Sequence, residues 1–344
     1  MNKLNQYIID KSKEVGIDLC GFTDPAPLTN IKDYLMYRQE NNRMTEFEEK
    51  NIDLRIDPKL TLPSCKSIIV LAISYNVDYD DKPAYKLKGK LSKSSWGIDY
   101  HRVLKDKIEL LIYEIKKVAD FQYKYFVDTG PLVDRELAVK AGIGYYGKNN
   151  LVINDDYGSS IFLGHILTDL ELEFNERQES KCGDCDLCLR ACPAGALEEP
   201  YRINPKKCIS YLTQTKDKIP EEYRKKMGIK IYGCDTCQLV CPKNKGIKKS
   251  CHEEFIPTIT KGYMDLEELF QISNRQFKEK YGHMAGSWRG KNILKRNALI
   301  ALANMKKEEN LELILQFLED ENPMIREYAQ WAKKNIFFTS LSKK

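Results

Sequence analysis

Residues 182–242 constrain this chain most, because they hold eight of its eleven cysteines in two related runs. Cys182, Cys185, Cys188 and Cys192-Pro193 form an unbroken C-x2-C-x2-C-x3-C-P run. Cys208, Cys234, Cys237 and Cys241-Pro242 repeat it with the first cysteine displaced. In two-cluster ferredoxins three close cysteines hold three corners of one cube, and the fourth, beyond a turn at proline, crosses to the other. The spacing therefore predicts two four-iron, four-sulfur clusters, one on Cys182, Cys185, Cys188 and Cys241, the other on Cys192, Cys208, Cys234 and Cys237. C-x2-C pairs also bind structural zinc. The x2-x2-x3 spacing, the paired prolines and the lack of histidine among the eight favour iron–sulfur.

A chain of 344 residues with 42% hydrophobic content can bury a sizeable core and is expected to form two or three domains. Residues 1–16 are charged and lack the apolar core of a signal peptide, and the longest apolar stretch, Ile68 to Tyr75, is too short to span a bilayer. The expectation is a soluble, cytoplasmic protein, in keeping with thiolate-rich sites. Cys20, Cys65 and Cys251 have no disulfide spacing and read as buried or incidental.

The net charge of +5 is unevenly spread. Residues 201–250 carry thirteen Lys/Arg against four Asp/Glu and residues 275–296 seven against one, whereas 301–330 carry three against seven. Such clustering is what a phosphate backbone attracts, although on charge alone a solvated lysine-rich face is the favoured reading.

Along the chain, the periodicity predicts a helix over 2–15, a strand at Asp18 to Phe22, a helix from about Ile31 to Lys50 and a fully buried strand at Ser67 to Ser74. Lys82 to Lys93 reads as a surface connector before a long helix opening at Gly97 to His101. Tyr123 to Val127 is strand-like and delivers the chain into Asp128-Thr129-Gly130-Pro131-Leu132-Val133-Asp134, with Asp134 in the first turn of a helix to about Ala141. There the default role of a carboxylate is capping. Gly142, Gly144 and Gly147 spell G-x-G-x-x-G, but the stretch follows a helix and precedes a strand, which excludes a dinucleotide site. Strands at Leu151 to Asn154 and Ile161 to Leu167 follow, and Asp265 to Tyr281 reads as one helix. Three helical segments, Asn292 to Met305, Leu311 to Leu318 and Pro323 to Asn335, suggest a HEAT-type repeat packed on the preceding domain. The fold class expected is α+β, divided at 1–175, 176–260 and 261–344.

An electron carrier of this kind needs only about 60 residues, so most of the chain must bind whatever uses the electrons. Here resemblance adds to the reading. The segments 128–144 (DTGPLVDRELAVKAGIG), 147–153 (GKNNLVI), 208–214 (CISYLTQ), 233–241 (GCDTCQLVC) and 295–303 (KRNALIALA) closely resemble the epoxyqueuosine reductases, in order and over nearly the whole chain. The resemblance implies an amino-terminal cobalamin-binding module of the nitroreductase and reductive-dehalogenase type, with cobalamin beside the first cluster. It implies reduction of the epoxide of epoxyqueuosine at the tRNA wobble position, with two electrons passing through the clusters to cob(I)alamin and Asp134 giving a proton. A carboxylate in water is ionised at neutral pH, so that role requires desolvation against corrin and substrate. Asp99-Tyr100-His101 lacks the glycine of a D-x-H-x-x-G motif, which suits a base-off cofactor.

By family position, Arg55, Asp57, Gly97, Asp134, Gly158, Asp169, Ser210 and Thr215 are the candidates for the corrin pocket. Arg224, Lys225, Lys226, Lys243, Lys245, Lys248, Lys249, Arg289, Lys291, Lys295 and Arg296 are the candidates for tRNA phosphates. Trp288 or Tyr232 are candidates to stack on loop bases, although core packing is the ordinary role of both. The chain departs from longer family members in its short carboxy-terminal helical region and in Ala303-Asn304, where Gly-Asn is common. An external low-potential electron donor and a monomeric state complete the expectation. Two other readings remain open: a corrinoid dehalogenase-like enzyme on a small molecule, and a nonenzymatic electron carrier.

Overall fold

The computed structural model describes residues 2–341. Its first half is built on a four-stranded antiparallel sheet in the order Leu19–Thr23, Ser67–Ser74, Ile161–Thr168, Tyr123–Val127. Ser67–Ser74 is buried along its whole length because both faces are covered. Its alternate residues serve different cores: Ile69, Leu71 and Ile73 pack under the helices Lys3–Glu14 and Tyr100–Ile115, while Ile68, Val70 and Ala72 meet the helix Asp134–Lys140. A continuous apolar run is what such a strand needs, which is why it reads so clearly in the sequence.

Several boundaries differ from the periodicity, each for a physical reason. The helix expected to reach Lys50 ends at Glu40, where Asn41 caps it and Asn42 takes a positive φ of 53°. The released segment turns back toward the sheet and contributes Thr45, Phe47 and Glu48 to the cavity described below. The lysine-rich connector conceals the strand Lys88–Leu91, with Gly89 and Leu91 buried and Lys88 and Lys90 between them. It is the middle strand of a second sheet, between Lys230–Tyr232 and Tyr263–Asp265. The helix expected over 265–281 is two, Leu266–Gln271 and Asn274–Tyr281, divided where Ser273 and Gln276 form a capping box. The glycine-rich stretch forms a hairpin of Tyr145–Tyr146 with Val152–Ile153, and a Cβ on Gly144 would lie 2.4 Å from the Ile153 carbonyl oxygen.

At the carboxy-terminal end Lys291–Asn304, Asn310–Leu315 and Pro323–Leu341 pack together, and Lys291–Asn304 is enclosed over Ile293 to Ala303. The core around it draws in Leu87, Leu91, Ile209, Leu212 and Ile231. Burial therefore crosses the divisions expected at 175 and 260: the strand Lys88–Leu91 belongs to the core of the later segments. Among the described residues no helix is long and apolar enough to cross a membrane.

Candidate active site

The eight cysteines gather in two sets. Cys182, Cys185, Cys188 and Cys241 enclose one small space together with Lys148, Ile153 and Leu187. In the other set, burial and then the fields of Cys234 and Cys192 push the Cys208 thiol up to about 11. Cys237 is likewise raised by burial and by Cys208, Cys234 and Cys192. The helices Leu187–Ala191 and Thr236–Leu239 pack against each other, and this lets Cys192 and Cys241 each cross to the opposite set. The backbone N–H of Ala196 donates to Cys192 Sγ at 3.2 Å, a contact that favours a charged sulfur.

Cys208 and Ser210 also line a cavity of about 560 Å³ between the sheet and the cysteine segment. The resemblance implies cobalamin beside the first cysteine set, whereas the set that adjoins this cavity is the one containing Cys208. Opposite Cys208 stand Asp134 and Asp128, six residues apart and both lining the same space. Asp134 is the first residue of its helix, yet no side chain caps that helix start. Its carboxylate turns instead to His165, with Oδ1 2.8 Å from Nδ1. His165 sits in the middle of the sheet, paired with Val70 and Phe126, and is 1% exposed. The contact is close but off-line, so neither atom completes a hydrogen bond. Catalytic contacts in ligand-free sites often tighten only when substrate is bound.

Asp128 follows the edge strand with φ 59°, a strained setting for a residue with a side chain, and such strain gathers at functional sites. His101 Nε2 lies 3.4 Å from Asp128 Oδ2, and His101 Nδ1 lies 2.7 Å from Asp99 Oδ1. Burial opposes charge on His101, but its bonds to Asp128 and Asp99 win and raise it to about 9. Burial drives the Tyr100 hydroxyl well above its usual range, and the charge of Asp128 adds to the effect. On the next wall Arg38 and Arg55 hold Glu48 at 2.6 and 2.9 Å. Burial of Glu48 is thereby overcome and its carboxyl is held down to about 2. Arg38 Nε, Arg55 Nε and Asp134 Oδ1 are buried without a hydrogen-bond partner, as expected of groups that face a ligand.

Of the corrin candidates, Arg55, Asp134 and Ser210 line the cavity. The others are elsewhere. Asp57 caps the next short helix through Lys59 N, and Thr215 is buried, accepting from Asp217 N. A Cβ on Gly97 would lie 2.1 Å from the Glu254 carbonyl oxygen. One on Gly158 would lie 2.2 Å from Asn244 Oδ1, so Gly158 admits the side chain that binds Ser159 on the cavity wall. Asp169 is corrected outright: it lies past the far end of Ile161–Thr168, roughly 23 Å along the strand from the cavity at Ile161, and accepts from Gln122 N.

Three proposed phosphate contacts are also corrected. Arg224 is 1% exposed, stacked 4.1 Å over Tyr328 and paired with Glu327. Arg296 is 0% exposed and donates to the carbonyls of Leu212 and Thr215. Lys295 is buried against Asp320 at 3.0 Å. These cations hold the interior together and have no surface to offer. Lys291 is half-buried, with its ammonium on the Ile272 carbonyl. Lys225, Lys226, Lys243, Lys245, Lys248 and Lys249 are exposed. Tyr232 is buried and lines the cavity, whereas Trp288 is 53% exposed at its rim, with Arg289 stacked 4.1 Å from its ring and 4.7 Å from that of Phe47. Sequence reasoning did not single out His165, His101 or the Arg38–Glu48 pair. The one available signal was a histidine in the middle of an apolar strand, where a polar group needs a partner.

A ferredoxin-type cysteine module set against an acid-lined cavity defines a redox enzyme whose electrons arrive by iron–sulfur chemistry. Residues 181–244 match the 4Fe-4S double cluster binding domain, and residues 55–129 match "Epoxyqueuosine reductase QueG, DUF1730". An epoxyqueuosine reductase of Bacillus cereus is 44% identical over 97% of this chain and 89% of its own length. A crystal structure of an epoxyqueuosine reductase with an epoxyqueuosine-modified tRNA-Tyr stem loop is 41% identical, with a TM-score of 0.94 over 97% of this chain and 90% of that one. The Bacillus subtilis enzyme, solved with its catalytic aspartate loop swung out of the active site, superposes with a TM-score of 0.92 at 40% identity over 97% of this chain and 90% of that one. The chain belongs to the epoxyqueuosine reductase family.

Proposed function

We propose that this chain reduces the epoxide of epoxyqueuosine in tRNA to the alkene of queuosine, working as a monomer in the cytoplasm with an external low-potential donor. The observation that carries the reading is family membership over nearly the whole chain together with a carboxyl-lined cavity directly beside Cys208. The residues fit the groups the family implies. Two sets of four thiols suit two four-iron clusters, and the unpartnered arginine nitrogens, Ser210 and the apolar wall suit the amides and rim of a corrin. When bound, the clusters would supply one-electron relays and cobalamin a low-valent cobalt able to deliver two electrons.

The protein's own work is positioning and proton transfer. Converting an epoxide to an alkene takes two electrons and two protons and releases water. Asp134 gives the first proton to the epoxide oxygen as the C–O bond opens, which removes charge that the dry cavity would otherwise hold. Trp288, Phe47 and Arg289 form a stacking platform at the rim for an unstacked loop base, and Lys225, Lys243 and Lys245 hold phosphates. Lys291, at the start of Lys291–Asn304, supports that face, and the three carboxy-terminal helices act as a HEAT-like buttress. Single-turnover reaction on epoxyqueuosine-containing tRNA, with cobalamin supplied or withheld, tests the reading. Conversion only with cobalamin is expected, and an intact epoxide in fully loaded, strongly reduced protein overturns it. For the nucleic-acid face, charge reversal at Lys225 and Lys243 should weaken tRNA binding and reduce its salt dependence by about one logarithmic unit per lost contact.

A further inference from the structure

The reaction consumes two protons, and Asp134 accounts for one of them. The second is needed when the newly formed hydroxyl departs, since hydroxide is a poor leaving group in a cavity with little water. Asp134 is badly placed to recharge between the two steps: its partner His165 is 1% exposed and lies within the sheet. A second acid with its own route to solvent would remove that delay.

The structure contains one. Asp128 lines the cavity, and 63% of its side-chain surface is exposed. Behind it His101 reaches the outside with 36% of its side chain exposed, 3.4 Å from Asp128 on one side and 2.7 Å from Asp99 on the other. The Tyr100 ring stacks on Phe162 and on the His101 ring, each at 4.0 Å, which holds the imidazole beside Asp128.

We propose that Asp128 is the donor of the second proton and that His101 recharges it from solvent. This rests on the epoxide-reducing role given above. An imidazolium N–H of His101 passes its proton to Asp128 Oδ2. Asp128, held below its ordinary range by His101 against the crowding around it, carries that proton only in passing: it goes on to the leaving hydroxyl oxygen, which departs as water as the two electrons of the reduction complete the C=C bond. His101 then takes a proton from bulk water. Its resting charge at neutral pH follows from the groups that face it, Asp99 and Asp128, with Tyr100 stacked on its ring and Arg135 facing Asp128 from the helix beyond.

The test compares Asp128→Asn and His101→Gln with the wild type, each loaded with clusters and cobalamin. Asparagine tolerates the positive φ at 128, so folding should survive. Each substitution should lower kcat by about 100-fold with KM for tRNA unchanged. Wild-type kcat should fall as pH rises through about 9, the point at which His101 loses its proton, and His101→Gln should abolish that alkaline limb. A readout independent of turnover is the His101 ring titration by NMR in cobalamin-free protein: near 9 in the wild type, and moved back toward the ordinary imidazole value in Asp128→Asn. Wild-type kcat in both variants, or a His101 titration unmoved by Asp128→Asn, overturns the proposal. If the wild type itself leaves epoxyqueuosine intact, the underlying reading fails instead.

Discussion

Two carboxylate–histidine pairs face one cavity, and they differ in access. Asp134 meets His165 at 2.8 Å inside the sheet, with the imidazole 1% exposed. Asp128 meets His101 at 3.4 Å beside the long helix start, with 36% of the imidazole side chain exposed. The same two functional groups therefore make one pair sealed inside the sheet and one open to solvent. The open pair also has a pH window. Because His101 is raised to about 9, its charged contact with Asp128 is complete below the ordinary imidazole value of 6.5 and is lost as pH climbs through about 9. What sets the roles apart is their connection to solvent.

The strongest way to break the comparison is to remove the sealed carboxyl. Asp134→Asn keeps the size of the side chain and loses the transferable proton. It should reduce kcat by roughly 10²- to 10⁴-fold while tRNA binding and cofactor loading persist. Turnover within a factor of about two of wild type would show that Asp128 alone suffices and that the first proton does not come from the sealed pair.

The sequence made parts of this site plain and hid others. The cysteine spacing is local, and it carries the crossing of Cys192 and Cys241 in its two prolines. Asp134 stood out only through the family resemblance, since its place at a helix start after Gly130-Pro131 suggests no more than a cap. His165 and His101 did not stand out, because what matters in each case is a partner more than twenty residues away in the chain. Charge counting failed for Arg224, Lys295 and Arg296 for a related reason. A long side chain carries its charge inward when backbone carbonyls or a carboxylate await it, and a tally of lysines and arginines contains no inside or outside. The strand Lys88–Leu91 was hidden by its lysines, because only Gly89 and Leu91 face the core.

A smaller effect is expected at the sealed imidazole. His165→Leu removes the group that holds Asp134 without touching substrate. It should lower kcat by about tenfold, leave KM for tRNA unchanged and leave the melting temperature equal or higher, because both ring nitrogens of His165 lack a complete hydrogen bond in this buried position. A loss equal to that of Asp134→Asn would instead make His165 part of the proton's path.

The finest distinction lies within the open pair. Tyr100→Phe keeps the ring stacked on Phe162 and on His101 and removes only the hydroxyl, on which the charge of Asp128 acts. In the cavity water can take the place of that hydroxyl, so kcat should fall only about threefold. The contact of His101 with Asp128 is untouched, so the alkaline limb of the pH profile should stay at about 9. If Tyr100→Phe were as damaging as Asp128→Asn, the phenol would be the group that hands the proton to substrate, with Asp128 one step behind it. The open pair would then reach the cavity through an extra link, whereas the sealed pair reaches it directly.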